Sequence, residues 1–105
     1  MVQLTVEAGV CGFTTAIRAS CEDMQNVAIE YDTTCPHVAK ARTEMAKVDA
    51  LAEIFAKPHQ TAVYAALSKH LPHTACPTYS AFLKAIEAAA GLALPRDVSM
   101  KFAPS

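Results

Sequence analysis

The stretch Phe13-Thr14-Thr15-Ala16-Ile17-Arg18-Ala19-Ser20-Cys21-Glu22-Asp23-Met24-Gln25-Asn26-Val27-Ala28-Ile29-Glu30-Tyr31 decides the fold. Phe13, Thr15, Ile17 and Ala19 interleave with Thr14, Arg18 and Ser20, and Val27, Ile29 and Tyr31 interleave with Asn26, Glu30 and Asp32. A period of two marks half-buried strands, and the short polar run from Glu22 to Gln25 makes them an antiparallel hairpin. Both apolar faces carry odd numbers. Facing residues must share a face, so their numbers sum to an even value and the turn centres near Asp23 or Met24. A sum of 46 sets Cys35 opposite Cys11, and a sum of 48 sets it opposite Phe13. Either way Cys11 and Cys35 lie at one end of the hairpin and point toward the same face. Cys21 belongs to the other end, roughly 30 Å away at ~3.3 Å of strand per residue. It reads as a small apolar residue near a turn.

Toward the N-terminus, Val2, Leu4, Val6 and Ala8 alternate with Gln3, Thr5 and Glu7, which adds a third strand to an antiparallel meander. Toward the C-terminus the period changes. Val38, Ala41, Met45, Val48 and Ala52 recur at threes and fours, the mark of an amphipathic helix opened by Cys35-Pro36. Asp49 is placed to cap a second segment, Ala50 to Ala56, which Lys57-Pro58 ends. Thr61 caps a short helix through Leu71, and Pro72 stops it. Cys76-Pro77 opens a third helix with the face Tyr79, Phe82, Leu83, Ile86 and Ala90, and Gly91 closes it. Val98, Met100 and Phe102 alternate with Ser99 and Lys101, which predicts a last strand. The expected order is β-β-β-α-α-α-β. This is an α+β domain over residues 1–105, with an antiparallel or mixed four-stranded sheet and helices on one face.

Composition bounds the function. The 105 residues are 52% hydrophobic and 18% charged, enough apolar content for one core and too little length for two. A formal net charge of −1 argues against nucleic acid or an anionic membrane as partner. No basic-then-apolar leader is visible at the N-terminus, and no stretch reaches the ~18 apolar residues of a membrane span. The expectation is a cytoplasmic protein. The three glycines, Gly9, Gly12 and Gly91, form neither a phosphate-binding loop nor a dinucleotide fingerprint.

In a reducing compartment, four cysteines point to free, metal-binding or redox-active thiols rather than structural disulfides. Cys35 and Cys76 each precede a proline that starts a helix, where exposed N–H groups favour the thiolate, the form that binds metal. Cys11, Cys35 and Cys76 are therefore expected to converge. His37, in the turn after Cys35, and His73, three residues before Cys76, are candidates for a fourth ligand. His70 shares a face with Val63 and Leu67 and is expected to meet the core, and His59 to face solvent. Three thiolates and an imidazole suit a tetrahedral zinc site, and the same thiolates suit an iron–sulfur cluster. No Cys-x-x-Cys pair is present, so the alternatives stay open: free packing thiols, a Cys11–Cys35 disulfide, or a thiolate site for a small molecule. A nucleophile pair, Cys76 with His73 or Cys35 with His37, is the enzyme reading. Lys40, Arg42 and Lys47 read as a solvated helix face.

The segments Cys11-Gly12-Phe13-Thr14-Thr15, Cys35-Pro36-His37-Val38 and Ala75-Cys76-Pro77 resemble a small uncharacterised prokaryotic family, a domain of unknown function. The resemblance runs nearly end to end, through Val48-Asp49-Ala50-Leu51-Ala52-Glu53-Ile54-Phe55 and from Lys84-Ala85-Ile86-Glu87 to Ala90-Gly91-Leu92-Ala93-Leu94-Pro95. It implies a cysteine pattern of Cys11, Cys35 and Cys76, with Cys21 an extra. A Cys-Pro before an amphipathic helix is also similar, more distantly, to the TSCPD domains, suspected metal binders, although His37 stands where that name would place Asp. The resemblance implies a site and no reaction. The leading expectation is thus a small metal- or iron–sulfur-binding protein. Against it stands a non-catalytic interaction module, a homodimer through an edge strand or through the mildly polar sheet face of Thr14, Ala16 and Ala28. A thiol redox or thiol-transfer protein is the third.

Overall fold

The computed structural model describes residues 1–104. Three strands follow the alternation: β1 (Val2–Glu7), β2 (Thr14–Cys21) and β3 (Asn26–Thr33). Their pairing is antiparallel, with Thr15 opposite Thr33, Ile17 opposite Tyr31, Ala19 opposite Ile29 and Cys21 opposite Val27. This is the register that centres the turn on Met24. Met24 adopts a left-handed φ of 64°, a conformation that few non-glycine residues take. Asp23 holds it there: its carboxylate accepts from the backbone N–H groups of Gln25 (3.0 Å) and Asn26 (2.7 Å) and from the Asn26 side-chain amide (2.7 Å). These bonds, the Asn26 backbone bond first, hold the Asp23 carboxyl well below the usual carboxylate range. In β1, Val2 faces Ala19, Leu4 faces Ile17 and Val6 faces Thr15, so its even-numbered residues join the odd-numbered face of β2.

The remaining elements are α1 (Pro36–Ala39), β4 (Lys47–Asp49), α2 (Ala50–Ile54), a 3-10 turn (Pro58–Gln60), α3 (Ala62–Ser68) and α4 (Thr78–Ala89). The sheet order is β1-β2-β3-β4, antiparallel throughout. The α+β class with four antiparallel strands and helices packed on the sheet is as expected. The element order is not.

The long first helix is replaced by one helical turn, an irregular segment and β4, where Val48 pairs with Val27. Val38, Ala41, Met45 and Val48 are all buried, as the periodicity required, whereas Ala52, the last residue of the expected face, is exposed. The same burial pattern is met by a different backbone, because three residues of strand gain ladder bonds on the open side of β3. The expected strand at Val98–Phe102 does not form either. Its apolar side chains are exposed, and no neighbouring strand is bonded to it to complete a ladder.

The helix starts follow the sequence closely. Asp49 caps α2 by accepting from Leu51 N–H (2.9 Å) and Ala52 N–H (3.1 Å), and Thr61 caps α3 by accepting from Tyr64 N–H (3.1 Å). Glu53 adds a cap that periodicity gave no sign of. Its buried carboxylate accepts from Ala62 N–H (2.7 Å) and Val63 N–H (2.9 Å), satisfying the start of α3 from a neighbouring helix.

One hydrophobic cluster unites the layers. Ile17, Ala19, Val27, Ile29 and Tyr31 on the sheet meet Val38, Met45, Val63, Leu67, Phe82 and Ile86. Tyr31 packs edge-on against Phe82 with ring centroids 4.9 Å apart, and its hydroxyl donates to the Val38 carbonyl at 2.8 Å. That bond ties α1 to β3, and burial pushes the Tyr31 hydroxyl up to about 12.

Candidate functional site

The open end of the β2–β3 hairpin is built from threonines. Thr34 N–H donates to the Thr14 carbonyl (3.0 Å), and Thr14 N–H donates to the Thr34 hydroxyl (2.9 Å). The hydroxyls of Thr15 and Thr33 share a bond of 2.7 Å, and the Cys35 N–H donates to the Thr33 hydroxyl at 3.1 Å. This clasp fixes the chain as it leaves the sheet, and Cys35 follows as the buried residue that precedes α1.

Cys11 reaches the same end from the β1–β2 connection. That loop is closed by Ala8 N–H to the Phe13 carbonyl (3.0 Å) and by Gly12 N–H to the Gly9 carbonyl (2.9 Å). Gly9 and Gly12 take φ values of 99° and 75°, which only glycine adopts without strain. Cys11 sits between them at the exposed tip. Cys76 arrives on the segment before α4. Its thiol is half-buried and donates to the Thr78 hydroxyl at 3.2 Å.

A small pocket of about 60 Å³ gathers these groups. Cys11, Cys35, Cys76, His37 and His73 all line it, with Phe13, Thr15, Leu71 and Thr78 among its other walls. Every residue that the sequence singled out as a candidate ligand thus meets the same cavity. They are not equally placed: Cys35 is buried, Cys76 and His37 are half-buried, and Cys11 and His73 are exposed. Among the described residues, no three His, Cys, Asp or Glu side chains are drawn together closely enough to hold a metal ion. All four cysteines are free, and the register sets Cys35 in line with Phe13, not Cys11.

Cys21 stands at the far end of β2, its thiol 3.6 Å from the Asp23 carboxylate. His59 is exposed as expected. His70 departs from expectation. It lies at the surface of the helix layer, 3.4 Å from the Glu44 carboxylate, because a carboxylate partner there suits an imidazole better than the apolar core. The threonine clasp escaped the sequence reading. Its sign was there: Thr14-Thr15 and Thr33-Thr34 face each other in the register that centres on Met24. The Thr78 hydroxyl that meets the Cys76 thiol carried no such sign.

A family model described as a family of unknown function, DUF6951, matches residues 2–102. No curated protein and no solved structure matches the chain. The match spans Cys11, Cys35, Cys76, His37 and His73 alike, and does not carry the likeness to TSCPD domains. The chain belongs to the DUF6951 family of unknown function.

Proposed function

We propose that this is a small cytoplasmic metal-binding protein whose site is the thiolate set Cys11, Cys35 and Cys76, completed by His37 or His73. The observation that supports this reading is the meeting of all five side chains at one pocket of about 60 Å³, brought there by three separate parts of the chain. Three thiolates and one imidazole match the soft, tetrahedral preference of zinc, with Zn–S contacts of about 2.3 Å. An iron–sulfur cluster draws on the same thiolates, with His37 or His73 in place of a fourth cysteine.

Closure is the step that binding requires. Cys35 and Cys76 are held by the threonine clasp and by Thr78, so they form the fixed part of the site. Cys11, at the exposed loop tip, is the ligand that would have to move inward. The glycines on its flanks would allow the loop tip to turn toward Cys35 and Cys76, and the thiols would give up their protons to hold an ion. The cytoplasm keeps all three thiols reduced. With a net charge of −1, nucleic acid is not the partner. No helix is long and apolar enough to cross a membrane among the described residues.

Elemental analysis and an absorption spectrum of anaerobically purified protein test this. The expected result is about one zinc per chain, or the visible absorbance of a cluster, with melting lowered by a chelator. Metal-free protein in which all four thiols titrate, with chelator-indifferent melting, would overturn it. A second reading, a self-associating module whose thiols only pack, is favoured by the burial of Cys35 and by the unpaired edge of β1. Cys11→Ser and Cys76→Ser variants that keep full stability and oligomeric state would favour that module.

A further inference from the structure

β1 is the outer strand of the sheet, bonded to β2 on one side. Along its six residues the other side offers unpaired backbone N–H and C=O groups, a template for one more strand. A groove of about 560 Å³ runs beside it, lined by β1 from Val2 to Glu7, by Ala81, Lys84 and Ala88 of α4, and by the chain end from Leu94 to Met100. The chain end borders the groove without pairing. Among the described residues, the backbone hydrogen bond made within 94–102 runs from Arg96 N–H to the Leu94 carbonyl at 2.9 Å. Val98, Met100 and Phe102, the apolar half of a strand pattern, are 64%, 80% and 106% exposed.

We infer that a second copy of this chain supplies the missing strand. Its segment Val98–Phe102 lies in the groove between β1 and the first copy's own chain end, bonded to β1, and the first copy's segment does the same for the second. Each copy has the long open edge of β1, beside which the groove runs, and one unused segment, so a two-fold pair leaves neither idle. The two segments lie side by side at the axis, and the sheets join into one. Internal closure would instead turn the segment into a new open edge.

Side-chain parity agrees. The inward residues of β1 are Val2, Leu4 and Val6, all half-buried at present. An antiparallel register with Met100 opposite Val6 sets Phe102 opposite Leu4, continuing the apolar face. It also puts Lys101 on a diagonal from the exposed Glu7, within reach for opposite charges on neighbouring strands. This inference does not rest on the thiol site.

Light scattering of the reduced full-length chain over a concentration series, with amide hydrogen exchange of β1, tests it. The expected result is a dimer in which the outward amides of Leu4–Glu7 exchange at least tenfold more slowly than in dilute protein. Met100→Asp, a change at an exposed position, is expected to give a folded monomer, as is removal of the residues after Pro95. A full-length chain that stays monomeric overturns the inference, and so does a dimer that both variants leave intact. Protection of β1 that does not depend on concentration would show the chain closing on itself, and would also overturn it.

Discussion

The two ends of the β2–β3 hairpin use similar residues for different ends. At the closed end, Asp23 satisfies Gln25 and Asn26, neighbours two and three residues away, and Cys21 rests beside the same carboxylate. The turn's own bonds are local, and the Gln25 side chain adds one to Asp49 at 2.9 Å. At the open end, Cys35 meets Cys11 and Cys76 at one pocket, groups brought from the β1–β2 loop and from the start of α4. A turn is a local problem that a few adjacent residues solve. A pocket lined by thiols from three elements is a long-range arrangement, and its thiols are set by the fold. The contrast leaves Cys21 beside the turn and the other three cysteines at the shared pocket, where the site is proposed.

The largest expected effect breaks or upholds that contrast directly. Cys35→Ser and Cys76→Ser should weaken zinc binding by more than the roughly 10–100-fold that losing a hydrogen-bond partner of a ligand costs, while Cys21→Ser leaves it unchanged. Competition against a chromogenic chelator measures this, and equal losses at all positions would erase the distinction between the ends. Next comes the clasp. Thr33→Val leaves the buried Thr15 hydroxyl and the Cys35 N–H without their partner, at about 1–3 kcal/mol. Chemical denaturation should register that cost together with weaker zinc binding. A cost without any change in binding would separate the clasp from the site.

The closed end should show itself in acid. Asp23 and Asp49 both titrate below the usual range, Asp23 chiefly through the Asn26 backbone bond and Asp49 chiefly through the Gln25 side chain. A carboxylate with a depressed folded pKa adds stability that is full above its unfolded value of about 3.9 and is lost as pH falls through the folded one. Melting should therefore fall as pH drops from about 5 toward 2, and less steeply in Asp23→Asn. An unchanged acid slope in that variant would show the turn to be held by something else. The smallest effect belongs to Cys21→Ala, expected within about ±0.5 kcal/mol of the parent. A larger loss would give Cys21 a role beyond the turn.

How much of this was legible depended on whether one pattern had one solution. Alternation in 13–31 admits a hairpin, and parity then narrowed the register to two choices. Helix caps were equally plain, since Asp49 and Thr61 stand directly before the segments they serve. The spacing of Val38, Ala41, Met45 and Val48 was degenerate. It describes which side chains are buried, and both a helix and a turn leading to β4 bury them. Val98–Phe102 shows the converse, an alternation that is real in the sequence and lacks a partner strand in the single chain. For the site, the meeting of Cys11, Cys35 and Cys76 followed from strand parity and two Cys-Pro helix starts. The exposure of Cys11 did not, because it depends on how the Gly9–Gly12 loop turns.

Cobalt(II) titration of the reduced chain tests the central claim most directly, since thiolate-to-cobalt charge-transfer bands report how many sulfurs bind the ion. The account predicts saturation at one ion per chain, with bands that weaken in Cys11→Ser, Cys35→Ser and Cys76→Ser and persist in Cys21→Ser. A titration without charge-transfer bands, or one that the Cys35→Ser variant leaves unaltered, would contradict it.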